Sequence, residues 1–210
     1  MKVKTITFAG FGLVGQRRYS FLKKISKVKV IGISDKYPLY RKKFKAGKSF
    51  ENFKQMFKHL KSDITFICLP NKYALEATIL ALKNGSHVFC EKPPAKNLSE
   101  MKKLLKILPK FKKQILIYGF NHRYHDTIIK TKKIIDRKQL GKIINFRGVY
   151  GKSHITPTIK GSNFKKKHFS WRERKKDAGG GILIDQGIHM IDMLNYFLGN
   201  FVEAKSFISN

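Results

Sequence analysis

A glycine-rich segment near the beginning of the chain limits the possible folds more than any other feature. Residues 10–15 read Gly-Phe-Gly-Leu-Val-Gly, which matches the pattern G-x-G-x-x-G. A run of strand-forming residues, 3–9, precedes this segment, and residues 13–26 follow it with apolar side chains at helical spacing. In this strand–turn–helix context the pattern is typical of a loop that binds the diphosphate of a dinucleotide.

The three glycines have different roles in such a loop. Gly10 permits the tight turn, Gly12 lets a diphosphate approach the backbone, and Gly15 lets the helix pack closely on the strand. The N–H groups at the start of the helix, with its positive dipole end, attract the phosphates. The alternative is a purely structural glycine turn, which the combined spacing and context disfavour. The residues expected to contact the dinucleotide are Gly10, Phe11, Gly12, Leu13, Val14 and Gly15.

An acidic residue follows the second strand-like run, residues 28–34. Asp35 lies about 20 positions after Gly15, the spacing at which a carboxylate reaches the ribose hydroxyls of NAD. A carboxylate repels the 2′-phosphate of NADP, so Asp35 favours NAD. Pairing between that phosphate and nearby basic side chains would reverse the preference, and NADP therefore stays open as an alternative. These side chains are Lys36, Arg41, Lys42 and Lys43.

Strand-like and helical segments alternate through the first part of the chain. Asn97 to Glu100 resembles a capping box at the start of a helix. Repeated β–α alternation with short loops predicts a mostly parallel sheet with right-handed crossovers. The expected fold class is α/β, with a doubly wound parallel sheet of the Rossmann type over residues 1–120. The further predicted strands are 28–34, 63–69, 87–90 and 114–118, and the further predicted helices are 50–60 and 73–84.

A second candidate site follows the short strand 87–90, where the sequence reads Glu91-Lys92-Pro93-Pro94. Ligands of open α/β sheets bind beyond the carboxyl ends of the strands, so a lysine placed there can meet both a cofactor and a substrate. Pro93 disfavours the helical region for Lys92 and keeps its backbone extended. A solvated lysine in a proline turn is the alternative. The position after a strand favours a catalytic lysine.

The third candidate segment, residues 179–192, begins with three glycines and continues as a helical pattern. Asp185, His189 and Asp192 stand at i, i+4 and i+7, so an α-helix would place them on one face. A carboxylate one turn away can set the tautomer and basicity of a histidine. A capping or structural Asp–His pair is the alternative. No further His or carboxylate stands at ligand spacing, so we expect no metal.

The chain is strongly basic, with a formal net charge of +32 from 45 Lys and Arg against 13 Asp and Glu. Such a charge attracts polyanions, so a basic nucleic-acid-binding protein is one alternative. Residues 163–176 interleave basic and aromatic side chains in a way that can bind single strands. The charge is nevertheless spread along the chain and no nucleic-acid-binding motif is visible. We therefore expect no nucleic-acid partner.

Nothing in the sequence predicts a membrane partner. No apolar run reaches the roughly 18 residues that a membrane-spanning helix needs. The N-terminus reads Met1-Lys2-Val3-Lys4 and has no apolar signal-peptide region. These features predict a cytoplasmic protein.

In combination and in order, these segments resemble the Gfo/Idh/MocA family, the glucose-fructose oxidoreductase and inositol dehydrogenase group. The resemblance runs from residue 3 to about residue 200 and also includes Asn121-His122-Arg123. It implies catalytic roles for Lys92, Asp185 and His189. It also implies that a further set of residues lines the cofactor cleft or lies near the nicotinamide: Leu69, Pro70, Asn71, Glu91, Lys92, Asn121, Trp171 and Arg172. Tyr73 stands where many relatives have His.

Members of that family are longer than this chain. Their second domain contains a large, open, mainly antiparallel sheet, and residues 121–210 are expected to form only part of it. Residues 142–150 resemble its first strand, and residues 201–209 resemble a second strand. The resemblance therefore implies a C-terminally truncated sequence with an incomplete α/β domain and an unprotected sheet edge. For the full-length form we expect a homo-oligomer.

The function implied by this resemblance is hydride transfer between a nicotinamide cofactor and a hydroxyl-bearing carbon of a sugar, cyclitol or nucleotide-linked sugar. The basic segment 163–176 would favour an anionic substrate. Because the second domain is incomplete, the main alternative is a non-catalytic module that senses a dinucleotide. The nucleic-acid-binding protein is the less favoured alternative.

Overall fold

In the computed structural model, which describes residues 2–149 and 171–207, one parallel sheet organises the chain. Its strands are β1 (Lys4–Ala9), β2 (Val28–Ser34), β3 (Lys48–Phe50), β4 (Ile64–Ile67), β5 (His87–Cys90) and β6 (Leu116–Tyr118). Their order in the sheet is β3-β2-β1-β4-β5-β6, and each neighbouring pair is parallel. The chain runs outward in one direction from β1 to β3 and in the other from β4 to β6, which is the doubly wound order. The predicted parallel sheet is thus confirmed.

Helices connect the strands and continue beyond the sheet. The side chain of Asn97 accepts a hydrogen bond from the Glu100 amide at 3.0 Å, as the predicted cap requires. The Glu100 carboxylate accepts from the amide of Lys96 instead of that of Asn97. The α-helices are α1 (Leu13–Leu22), α2 (Pro38–Lys42), α3 (Phe53–His59), α4 (Asn71–Lys83), α5 (Leu98–Ile107), α6 (Asp126–Asp136), α7 (Lys175–Ala178) and α8 (Ile188–Leu198). Among the described residues, 3-10 turns span Leu108–Lys110, Asn121–Tyr124 and Trp171–Glu173, and a π-helical turn spans Leu183–Gly187.

Both faces of the sheet carry a buried core, because successive strand residues point to opposite sides. Ile6 and Phe8 of β1 belong to one buried cluster, and Ala9 belongs to the other. The second cluster also contains Met56 of α3 and Leu104 of α5. Burial of each large side chain stabilises the fold by about 1.5–3 kcal/mol. This two-sided burial explains why the strands read as nearly continuous apolar runs.

Some short elements, among them strand β3 and helix α2, were not predicted from the sequence. Strand β3 has only three residues, Lys48–Phe50, and lies at the edge of the sheet beside β2. The predicted helix 50–60 therefore begins later, at Phe53, where Asn52 provides the side-chain cap. Helix α1 ends at Leu22, earlier than the predicted residue 26. Short elements of this kind contain too few residues for a hydrophobic period to show.

The two strands predicted for the second domain are not strands in the described part of the chain. Residues 142–149 and 201–207 are irregular, and Tyr150 and residues 208–209 lie outside the described residues. A strand forms only when a neighbouring strand satisfies its N–H and C=O groups. The described residues of these two segments have no such ladder partner. Their apolar side chains are largely exposed, as in Ile144 at 95% and Val202 at 104%.

No helix among residues 2–149 and 171–207 is both long enough and apolar enough to cross a membrane.

The turn after β1 gives a direct test of this packing. Gly10 (φ +91°) and Gly85 (φ +88°) both have left-handed backbones. A Cβ at position 10 would lie 2.5 Å from the carbonyl oxygen of Cys68, whereas a Cβ at position 85 meets nothing within 4 Å. Gly85→Ala should therefore lower the free energy of unfolding by about 1 kcal/mol through backbone strain alone. Gly10→Ala should lower it by about 2 kcal/mol more, through overlap with the next loop. Urea unfolding measures both losses, and equal losses would contradict this packing.

Candidate functional site

The parallel register brings four separate loops to one edge of the sheet. Ala9, the last residue of β1, stands opposite Ser34 of β2 on one side and opposite Ile67 of β4 on the other. Ile67 in turn stands opposite Cys90, the last residue of β5. The loops that begin at Gly10, Asp35, Cys68 and Glu91 therefore start side by side. In open parallel sheets, this edge at the change of winding direction is where ligands bind.

The glycine loop leaves the start of α1 accessible. Gly12 precedes the helix, and no side chain caps the first turn. A Cβ at position 12 would find its nearest neighbour, the Tyr40 ring, only at 3.9 Å, whereas a Cβ at Gly15 would lie 2.5 Å from the Gly10 carbonyl oxygen. The free N–H groups of an uncapped helix start can bind an anion. Leu13 and Val14 are exposed on this first turn.

Phe11 contributes to this loop through its backbone. Its side chain is 1% exposed and packs edge-on against the rings of Phe8, Tyr19 and Phe44. Its amide donates a hydrogen bond to Asp35 Oδ2 at 2.9 Å. The ring therefore stabilises the core beneath the loop and does not face the cleft.

The loop after β2 contains both a carboxylate and a guanidinium. Asp35 Oδ1 accepts a hydrogen bond from the Tyr37 amide at 2.9 Å. Arg41 Nη1 donates to the carbonyl oxygens of Asp35 at 2.7 Å and Lys36 at 3.0 Å. The Lys36 ammonium lies over the Tyr37 ring, 4.7 Å from its centre. A carboxylate and a guanidinium are thus adjacent at the end of β2.

The loop after β5 is fixed by an ion pair that the sequence did not reveal. Glu91 Oε1 accepts from Arg18 Nε at 2.8 Å and from Arg18 Nη2 at 2.7 Å. The Arg18 guanidinium also lies over the ring of Phe89, 5.1 Å from its centre. Arg18 belongs to α1, so the helix that follows the glycine loop holds the residue before Lys92. No sequence signal marks Arg18, because its partner comes from a distant loop.

Lys92 reaches across to the segment that follows the three glycines. Its Nζ donates to the carbonyl oxygen of Asp185 at 2.6 Å and lies 3.4 Å from Asp185 Oδ1. The two side chains are only 15% and 13% exposed. Burial lowers the pKa of the Lys92 ammonium below its ordinary value, although the charge of Asp185 opposes this. The peptide bond between Lys92 and Pro93 is cis.

Asp185 is held from several sides. Burial raises the pKa of its carboxyl, but a hydrogen bond from Gln186 and the charges of Lys92 and Arg172 outweigh this and lower the pKa overall. Gln186 Nε2 donates at 2.8 Å, and Arg172 Nε lies at 3.4 Å. The carboxylate therefore stays ionised beside the Lys92 ammonium.

His189 lies buried in the same cluster, 5% exposed. Its ring stacks on that of His122 with a centroid separation of 4.1 Å, and Phe120 contacts it edge-on. Burial, followed by the positive charges of Lys92 and His122, lowers the pKa of His189 to about 4. The structure thus places Lys92, Asp185 and His189, the three residues singled out by the resemblance, in one cluster.

The geometry of that segment differs from the predicted single α-helix. Residues Leu183–Gly187 form a π-helical turn, which changes the angular spacing between Asp185 and His189. Asp192 pairs with Arg123, whose Nε lies 2.8 Å from its Oδ2. Of the segment Asn121-His122-Arg123, only Asn121 was predicted to line the cofactor cleft. Asn121 is exposed, whereas His122 contacts His189 and Arg123 contacts Asp192.

The residues after β4 divide between the edge of the sheet and the second part of the chain. Leu69 and Pro70 lead into α4, which begins at Asn71. The Asn71 side chain is 4% exposed and donates to the carbonyl oxygen of Ala178 at 2.8 Å, so it contacts α7. The ring of Tyr73 packs on Phe53 in the core, 6.2 Å between centres.

The Trp-Arg pair lies just before α7. The Arg172 guanidinium lies 4.5 Å from the centre of the Trp171 ring and also faces Asp185. Residues 163–170 of the basic segment lie outside the described residues. Over residues 2–149 and 171–207, no group of three or more His, Cys, Asp or Glu side chains is arranged to bind a metal ion.

Comparison with known proteins identifies both parts of the chain. Residues 4–120 match the model of the Gfo/Idh/MocA oxidoreductase family with an NAD-binding Rossmann fold. Residues 128–210 match a C-terminal domain of the same family.

Among curated proteins, the chain is similar to D-glucoside 3-dehydrogenase of Escherichia coli K12, with 34% identity over 147 residues, which are 70% of this chain and 38% of that protein. Among solved structures it is similar to myo-inositol 2-dehydrogenase from Lactobacillus plantarum, with a TM-score of 0.79, 31% identity and coverage of 94% of this chain and 57% of the other.

Levoglucosan dehydrogenase in complex with NADH and levoglucosan gives a TM-score of 0.80 at 25% identity, with coverage of 95% and 55%. The chain thus spans between about a third and somewhat over half the length of these relatives. Since the family model of the first part alone matches more than half of its residues, the chain belongs to the Gfo/Idh/MocA family of oxidoreductases.

Proposed function

We propose that this chain forms the dinucleotide-binding and catalytic part of an NAD(P)-dependent dehydrogenase. The reaction is hydride transfer between the nicotinamide and a hydroxyl-bearing carbon of a sugar or cyclitol. The observation that carries the proposal is the contact of the Lys92 ammonium with Asp185, beside the buried His189, at the edge where the glycine loop begins. Family relatives with names such as levoglucosan dehydrogenase and myo-inositol 2-dehydrogenase support the substrate class.

The residues of the glycine loop suit a dinucleotide. The start of α1 has no side-chain cap, and the space around Gly12 is open, so backbone amides remain for a diphosphate. Asp35 lies beside the loop, where its carboxylate would meet the ribose hydroxyls. Because the Asp35 carboxylate would repel a 2′-phosphate, we propose NAD as the cofactor. NADP is the alternative, because the guanidinium of the nearby Arg41 would bind that phosphate. When bound, the nicotinamide supplies the hydride acceptor or donor.

The three clustered side chains have complementary roles in this proposal. His189 is neutral at neutral pH and takes the proton of the substrate hydroxyl as a general base. The Lys92 ammonium donates a hydrogen bond to the oxygen on which negative charge develops. Asp185 remains ionised and orients that ammonium through its carboxylate and carbonyl oxygens. In the reverse reaction the same groups return the proton.

Several features of the whole protein belong to the same proposal. The boundary at residue 120/121 would separate the dinucleotide domain from the part that completes the site. The basic surface, with a net charge of +32, favours an anionic substrate. A homo-oligomeric full-length form and a cytoplasmic location stay predictions.

A two-step assay tests the proposal against a non-catalytic dinucleotide sensor. The 210-residue chain is titrated with NADH and with NADPH by fluorescence, and then incubated with NAD⁺ or NADP⁺ and a panel of sugars and cyclitols. We expect binding and then formation of reduced cofactor with at least one polyhydroxylated ring. Binding without turnover would favour the sensor, and DNA binding that weakens steeply with salt, without binding of a reduced cofactor, would favour the nucleic-acid alternative.

Substitution of the clustered residues should separate chemistry from cofactor binding. Lys92→Met removes the charge that stabilises the developing alkoxide, and His189→Ala removes the base. Each should lower kcat by about 10²- to 10⁴-fold and leave the Kd of NADH nearly unchanged. The matched control is Lys103→Met, which removes an exposed lysine of α5. A loss of NADH affinity at unchanged kcat would show that these roles are wrong.

The pH dependence of alcohol oxidation follows from the shifted groups. Oxidation needs neutral His189, and a pKa of about 4 keeps the imidazole neutral down to that pH, below the 6.5 of an ordinary histidine. Activity should therefore persist as pH falls from 7 to 5 and be lost near 4. Because the pKa of Lys92 is lowered by burial, the loss at alkaline pH should begin below the ordinary lysine range. A profile of kcat at constant ionic strength measures both limits, and an acid limit near 6.5 would contradict the buried base.

A further inference from the structure

A buried carboxylate lies outside the proposed catalytic cluster. Asp177, at the end of α7, is 2% exposed. Its Oδ1 lies 2.7 Å from Lys72 Nζ, and its Oδ2 lies 2.5 Å from Arg174 Nε. Burying a charge is costly unless opposite charges and hydrogen bonds compensate for it. The two cations satisfy this requirement, and the hydrogen bond from Lys72 lowers the pKa of Asp177, so the carboxyl stays ionised.

The ion pair joins two parts of the chain that are far apart in sequence. Lys72 belongs to the first turn of α4 in the Rossmann domain, whereas Asp177 belongs to the segment that carries the proposed base. The neighbouring Asn71 side chain donates to the Ala178 carbonyl oxygen at 2.8 Å. We call these four residues the α4–α7 clamp: Asn71, Lys72, Asp177 and Ala178.

The next residue extends this close contact. Gly179 has a φ of +88°, and a Cβ there would overlap the carbonyl oxygen of Lys96. Three consecutive residues, 177–179, therefore lie directly on the Rossmann domain. The π-helical turn with Asp185 begins only four residues later, at Leu183. The path of the chain into the catalytic cluster is thus fixed at its beginning by the clamp.

The contact within the cluster differs from the clamp in what the proposed reaction requires of it. The Lys92 ammonium donates to the Asp185 carbonyl oxygen at 2.6 Å and lies 3.4 Å from the Asp185 carboxylate, whereas Lys72 lies 2.7 Å from the Asp177 carboxylate. In the proposed reaction Lys92 also has to bind the substrate oxygen. The clamp contains no group assigned to proton or hydride transfer, so the proposed reaction does not require its ion pair to break.

We propose that Asp177 is a positioning residue, whose ion pair with Lys72 holds the segment 171–198 on the Rossmann domain so that Asp185 and His189 face Lys92. The turnover part of this inference rests on the proposed dehydrogenase function. Small displacements of reacting groups cost up to about 10²-fold in rate. Loss of the pair should therefore slow turnover even though the clamp does not contact the reacting atoms.

The single tryptophan of the chain reports directly on this segment. Trp171 is followed closely by α7 and contacts Arg172, which faces Asp185. Two measurements use it: the quenching of its fluorescence by acrylamide without cofactor, and energy transfer from Trp171 to bound NADH. The first measures whether the segment is docked, and the second measures its proximity to the cofactor.

The variants separate charge pairing from general destabilisation. Asp177→Asn and Lys72→Met remove one charge each, whereas Lys72→Arg keeps the cation. Lys72→Met is the milder change, because Lys72 is 33% exposed and Arg174 still pairs with Asp177. The matched controls make the same changes at residues that are more exposed than their counterparts in the clamp: Asp136→Asn, whose partner is Lys132, and Lys54→Met, whose partner is Glu76. Circular dichroism establishes that each variant is folded.

Asp177→Asn and Lys72→Met are expected to increase acrylamide quenching, weaken energy transfer and lower kcat by roughly 10- to 100-fold, with NADH still bound. Lys72→Arg and both controls should give the same acrylamide quenching, energy transfer and kcat as the unsubstituted chain. Unchanged quenching and energy transfer in folded Lys72→Met and Asp177→Asn would overturn the inference. If Asp177→Asn does not fold, folded Lys72→Met decides in the same way. If the original chain does not bind NADH, the proposed function fails, and quenching of Trp171 still decides whether the clamp docks the segment.

Discussion

The register of the parallel strands is the constraint on which the rest of the structure depends. Because β1, β2, β4 and β5 end in line, the loops that follow them start at one edge of the sheet. Parallel sheets occur almost only where both faces are covered by helices. The two buried clusters show that both faces of this sheet are covered. The glycine loop, Asp35 and Lys92 are thereby neighbours although they are distant in sequence. The chemistry proposed for the chain is a consequence of that alignment.

Charged side chains, and not apolar ones alone, connect the helices and the second part of the chain to this edge. Arg18 holds Glu91, Lys92 contacts Asp185, and Lys72 holds the buried Asp177. Buried ion pairs contribute little net stability, because desolvation offsets much of their attraction, but removal of one partner leaves an uncompensated buried charge. In this chain such pairs lie at or beside the candidate site. The same burial lowers the pKa of His189 to about 4, so its imidazole is neutral at neutral pH.

The sequence predicted what depends on local pattern and missed what depends on tertiary contact. Hydrophobic periodicity and the glycine motif were sufficient to predict the principal strands, whereas shared roles for Lys92, Asp185 and His189 were implied by the family resemblance. Strand β3 is too short for a period to show. Arg18 and Asp177 were missed because their partners are known only once the chain has folded. The predicted strands of the second domain were wrong over their described residues, because a local pattern cannot supply the neighbour that a strand requires.

A crystal structure of the chain with NADH bound tests the central claim most directly. The claim is that one edge of the sheet holds the diphosphate at the start of α1 and presents an amine and an imidazole to the nicotinamide. The account predicts hydrogen bonds from the amides of the glycine loop to the phosphates. It also predicts that Lys92 Nζ and the His189 ring face the same side of the nicotinamide. Between them there should be space for a substrate carbon about 3–3.5 Å from the nicotinamide ring. A nicotinamide that lies away from both side chains, or that separates them, would contradict it.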